Sequence, residues 1–130
     1  MDTKILVDNY IREGKDLISN LDQGKFPVNA ALWFYDPDDG RWKLVIATPK
    51  YDEEGPLKVY STIQNYLPHR EENHLSLTDI AATSPNNKLI SLLRKAITTK
   101  KDAISDIVFK ENTIDNTFIE SAYIYRIAPN

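Results

Sequence analysis

The chain has no cysteine among its 130 residues, which excludes disulfides, a thiol nucleophile and cysteine-ligated zinc or iron–sulfur sites. It has four glycines, too few and too scattered for a phosphate-cradling loop, and neither a Walker loop, a dinucleotide fingerprint nor a G-x-S-x-G elbow occurs. No apolar run approaches the roughly 20 residues that span a bilayer. The N-terminal MDTKILVDNYIREGKDL is acidic and amphipathic, unlike a signal peptide, so a cytoplasmic protein without a membrane segment is expected. A basic excess is also missing. The formal net charge is −3, which argues against a dedicated duplex-DNA binder. What remains, 42% hydrophobic and 27% charged, is ordinary material for one globular domain.

The stretch from Val28 to Pro49 organises the rest: two apolar runs flank Pro37-Asp38-Asp39-Gly40, giving a strand, a tight turn and a strand. A four-residue loop pairs Tyr35 with Trp42 and Trp33 with Leu44. A three-residue loop, Asp38-Asp39-Gly40, pairs Phe34 with Leu44 and gathers Ala30, Leu32, Phe34, Trp42, Leu44 and Ile46 on one face. The second separates polar from apolar residues better and is the expected register.

Before this hairpin, Val7, Tyr10, Ile11, Gly14, Leu17, Ile18 and Leu21 recur at helical spacing, predicting a helix over 3–22. Gly14 lies within its apolar stripe, where it costs about 1 kcal/mol of helix propensity against Ala. Close approach of the backbone to a sheet is the expected reason. After a loop at 50–55, Pro56 opens a second helix with Leu57, Tyr60, Ile63 and Leu67 as its stripe. A strand is expected over 75–83. A third helix should begin at Ser84-Pro85 and run to about 99. Strands near 105–111 and over 117–127 form a second hairpin. The order α-β-β-α-β-α-β-β predicts an α+β two-layer sandwich, one domain over 1–130, with a five-stranded mixed sheet and three helices packed mainly on one face.

Several strings look familiar together: Gly14–Asp22 (GKDLISNLD), Pro27–Tyr35 (PVNAALWFY), Trp42–Pro49 (WKLVIATP), Ser84-Pro85-Asn86 and Phe118–Tyr125 (FIESAYIY). The chain resembles a group of small bacterial proteins of uncharacterised function. The resemblance covers most of the chain and implies a bacterial, self-standing domain. It carries no activity, cofactor or catalytic residue over to any position here.

Candidate chemistry is sparse. His69 and His74 flank Arg70-Glu71-Glu72-Asn73, but the spacing matches no established metal site and reads as a solvated loop. Asp36, Asp38 and Asp39 form an acidic tip without an EF-hand pattern. Asp52, Glu53, Glu54 and Asp79 place carboxylates near strand ends, which leaves open a small metal-dependent hydrolase or nuclease. Ser84, Asn86, Asn87 and Lys88 lead from a strand into a helix N-terminus, a candidate anion site. Trp33, Tyr35, Tyr123 and Tyr125 lie on expected strands. If all helices cover one face, these rings project from the other. They would form a protein or homodimer interface, or, less in keeping with the acidic balance, stack single-stranded nucleic acid. The leading expectation is a non-enzymatic interaction domain without cofactor or bound metal, self-associating through its aromatic sheet face or sheet edge.

Overall fold

The computed structural model describes residues 6–68 and 75–129. It is an α+β fold in the expected order with one helix added, α2: α1 (Asp8–Gln23), β1 (Ala30–Asp36), β2 (Arg41–Ala47), α2 (Pro49–Glu54), α3 (Pro56–Tyr66), a 3-10 turn (Leu77–Asp79), β3 (Ile80–Thr83), α4 (Lys88–Arg94), β4 (Ile107–Ile114) and β5 (Thr117–Ile127). The five strands form one mixed sheet in the order β3-β2-β1-β5-β4, parallel only between β2 and β3.

The first hairpin takes the four-residue loop: Trp33 pairs with Leu44, Tyr35 with Trp42 and Asp36 with Arg41. This corrects the three-residue register. Asp36 explains the choice locally. Its Oδ1 accepts from the backbone N–H of Asp38 and Asp39, its carbonyl accepts from Gly40 N at 2.8 Å, and Gly40 takes the left-handed φ of 65° that closes the turn. The polarity criterion had no force, because both faces of this hairpin are covered. Ala31, Trp33, Leu44 and Ile46 join Leu17, Ile18 and Leu21 of α1 and Val59 and Ile63 of α3 in one core. Ala30, Leu32, Val45 and Ala47 join Ile90 and Leu93 of α4 and Ile124 of β5 in another. α1 and α3 thus share one face, as expected, and α4 lies against the opposite one. Strands buried on both sides read as continuous apolar runs and carry no alternation to choose a register by.

Three local departures have physical reasons. The expected loop at 50–55 is mostly helix: Pro49–Glu54 form α2 because Thr48 caps it, its side chain accepting from Lys50 N, with Pro49 at the first helical position. α4 stops at Arg94 instead of reaching about 99. There the chain turns to the end of β5: Thr99 N donates to Ile127 O at 2.7 Å, and Ile127 N donates to Thr99 Oγ1. In α3 the buried residues are Val59 and Ile63, whereas Leu57 is 87% exposed. The second hairpin turns at Asp115 and Asn116, both left-handed at φ 46° and 67°, the pattern of a tight two-residue hairpin turn.

Gly14 sits where α1 packs over the Trp33 and Tyr125 side chains of the sheet. A Cβ there would stand 2.5 Å from Tyr125 Oη and 2.9 Å from Trp33 Nε1. Close approach, not flexibility, therefore requires glycine. Gly14→Ala is expected to lower stability by about 1–3 kcal/mol despite its better helix propensity. In a Tyr125→Phe background the cost should shrink by about 1 kcal/mol, since the nearest atom is gone. Urea unfolding of the two single variants and the double variant checks this.

Candidate functional site

The four aromatic residues expected on an open face are distributed otherwise. Trp33 is 1% exposed and Tyr125 0%, both beneath α1. Trp33 Nε1–H donates to Tyr125 Oη at 3.0 Å, and Tyr125 Oη–H donates to the Ile11 carbonyl of α1 at 2.5 Å. Tyr10 meets the Trp33 ring edge-on at 5.6 Å. Tyr35 is also buried, edge-on to Trp42 at 5.5 Å. This corrects the idea of an open aromatic surface: the rings lie on the face that α1 covers. Of the four, Tyr123 alone is half-buried. Its hydroxyl donates to Asp106 Oδ1 at 2.5 Å, and Asp106 also pairs with Lys15 of α1 at 2.9 Å. The Tyr123 hydrogen bond, with Lys15, holds the Asp106 carboxyl below its ordinary range. Burial, reinforced by Asp106, pushes the Tyr123 phenol up to about 12. Burial pushes the Tyr125 phenol up as well.

The candidate anion site is also corrected. α4 begins at Lys88 and is only seven residues long, and Asn87 Oδ1 accepts from Leu89 N at 2.8 Å and Ile90 N at 3.4 Å. The first free N–H groups are therefore already taken. Ser84 is no helix cap. Its Oγ accepts from Asn86 N and donates to the Asp52 carboxylate at 2.7 Å, placing a negative charge beside the loop.

The remaining carboxylates are engaged separately. Asp79 caps the turn at Ser76 and pairs with Arg41 at 3.2 Å. Asp39 pairs with Lys43 at 3.0 Å. Among the described residues no three carboxylate or imidazole groups converge as a metal site would require. His69 and His74 lie outside the described residues. A feature missed in the sequence is Arg126, 1% exposed in the apolar end of β5. It holds Asp22 of α1 through two N–H groups at 3.0 and 2.7 Å and donates further to Ala103 O and Val28 O. A lone cation in the run YIYRI was its sequence signal.

No family model, curated protein or solved structure matches this chain. Function must therefore be read from its surfaces.

Two sheet edges are available. At β3 the outer edge is closed, because Tyr60 Oη accepts the Ala82 N–H at 2.9 Å. At the other end, β4 is an eight-residue edge strand with most of its residues exposed. Val108 on β4 is 59% exposed, and Phe118, on the neighbouring β5, is 60% exposed. Pairing of β5 with β1 ends at Phe34 and Ala122, while β4 and β5 continue together to Ile114 and Thr117. The hairpin thus projects past the sheet as a two-stranded arm.

The Tyr123 arrangement has a pH consequence. An unfolded tyrosine ionises near its ordinary value of 10.0, whereas native Tyr123 holds its proton to about 12. Its contribution is complete below pH 10 and is lost as pH rises from 10 to 12, because the unfolded state there binds fewer protons. Stability measured by urea unfolding should fall across that window. Tyr123→Phe should flatten the fall in part, Tyr125 and Tyr10, both also raised by burial, supplying the remainder.

Proposed function

We propose that this chain is a non-enzymatic bacterial interaction domain of the cytoplasm that self-associates along the β4 edge. The observation that carries the reading is β4 itself, a long strand whose outer edge pairs with no strand among the described residues, with Val108 exposed on it and Phe118 exposed on its neighbour. A row of unpaired N–H and C=O groups is a template for another strand. The added strand extends the sheet through main-chain hydrogen bonds, and side chains at alternate positions provide selectivity. The occupant proposed is a second copy of the chain. Glu111 limits the contact, since its φ of 46° breaks the regular strand and leaves Ile107–Lys110 as the segment best shaped for pairing. The proposal replaces the aromatic face with the edge, while keeping the homodimer.

Gel filtration with light scattering over a concentration series tests it. The expected result is a concentration-dependent dimer. Val108→Lys and Phe118→Ser, both at exposed positions that the fold tolerates, should each weaken it by about tenfold or more. A chain that stays monomeric at every concentration, or a dimer indifferent to both variants, would overturn the proposal.

A further inference from the structure

A groove of about 250 Å³ crosses the sheet beside the first turns of α1, on the same face as Trp33. Ile11, Trp42, Val108 and the Tyr123 ring supply apolar walls, and Lys110 and Ser121 supply polarity. Its hydrogen-bonding groups are out of balance. Ser121 is only 7% exposed, yet its hydroxyl has no partner among the described residues. Lys110 likewise has no carboxylate partner among them. The Trp42 indole nitrogen is closed off from water and has no acceptor among the described residues. No described carboxylate lines the groove, and the Tyr123 hydroxyl already donates to Asp106.

We propose that this groove binds a small organic carboxylate with an apolar body. Its carboxylate is taken by the Lys110 ammonium and the Ser121 hydroxyl, and its body lies against Ile11, Val108 and the Trp42 ring. Three features select this class. One lysine supplies one positive charge, matching a monoanion. The Lys110 ammonium, a donor with no acceptor capacity, calls for an acceptor-only group, which an ionised carboxylate is, and the Ser121 hydroxyl can donate to the same group. The volume falls below the roughly 300–1,000 Å³ typical of drug-sized ligands, so the body is short. Lys110 and Ser121 also border a neighbouring hollow that contains Glu111 and Glu120, whose charges repel an anion there and direct it to the Trp42 side.

The test uses the full chain, titrated with octanoate, its neutral analogue octanol, and acetate. Trp42 reports through its indole N–H resonance, and buried Trp33 serves as reference. Octanoate should shift Trp42 saturably and leave Trp33 in place. Octanol should bind at least about tenfold more weakly, as should octanoate to Lys110→Met, and acetate should give no saturable shift. Ser121→Ala should weaken octanoate about threefold or more, with the circular dichroism spectrum unchanged. Absence of a saturable Trp42 shift, octanol binding as tightly as octanoate, acetate binding equally well, or indifference to Lys110→Met would each overturn the proposal. Light scattering on the same samples reports self-association separately, so failure of one proposal is not failure of the other.

Discussion

The hydrogen-bonded relay from Trp33 through Tyr125 to the Ile11 carbonyl fixes how this molecule is assembled. A buried indole N–H and a buried phenol must each find a partner or cost the fold about 1–3 kcal/mol. Here each satisfies the other, and the last proton goes to the backbone of α1. That arrangement requires the helix to lie against the sheet at this point, which in turn requires Gly14. The position of α1 then decides which rings are interior. An aromatic-rich sheet face becomes core, and partner contacts must be sought at the edge.

A second polar tie acts at the other end of α1. Arg126 lies in the sheet interior and holds Asp22 bidentately while two backbone carbonyls take its other donors. A buried charge is tolerable only when paired and hydrogen-bonded. This one fixes the end of α1, the loop at Val28 and the loop at Ala103 to a single side chain. Lys15 and Asp106 add an exposed pair between the two ties, with a smaller effect because water screens it.

Much of this was legible beforehand, and the failures share a cause. The five strands and their order along the chain, three of the four helices, the span of β5 and the close approach at Gly14 follow from local patterns of periodicity and turn chemistry. The hairpin register and the exposure of Trp33, Tyr35 and Tyr125 did not, because both depend on which face a distant helix covers. Once α4 packs behind Leu32 and Val45, apolar and polar residues no longer sort by face. The anion site failed for two reasons: Asp52 reaches Ser84 from a distant helix, which spacing alone does not show, and Asn87, not Ser84, is the local cap of α4. Likewise the groove beside Lys110 and Ser121 joins residues from α1, β2, β4 and β5, and no contiguous string announces it.

The seating of α1 over the Trp33–Tyr125 pair is the claim from which the rest follows. Hydrogen exchange of the Trp33 indole N–H, followed by nuclear magnetic resonance, addresses it most directly. If the relay is as described, that proton exchanges only when the whole domain unfolds, at the free energy of global unfolding found with denaturant. Rapid exchange of the Trp33 indole under conditions where the backbone of β1 and β5 stays protected would contradict it.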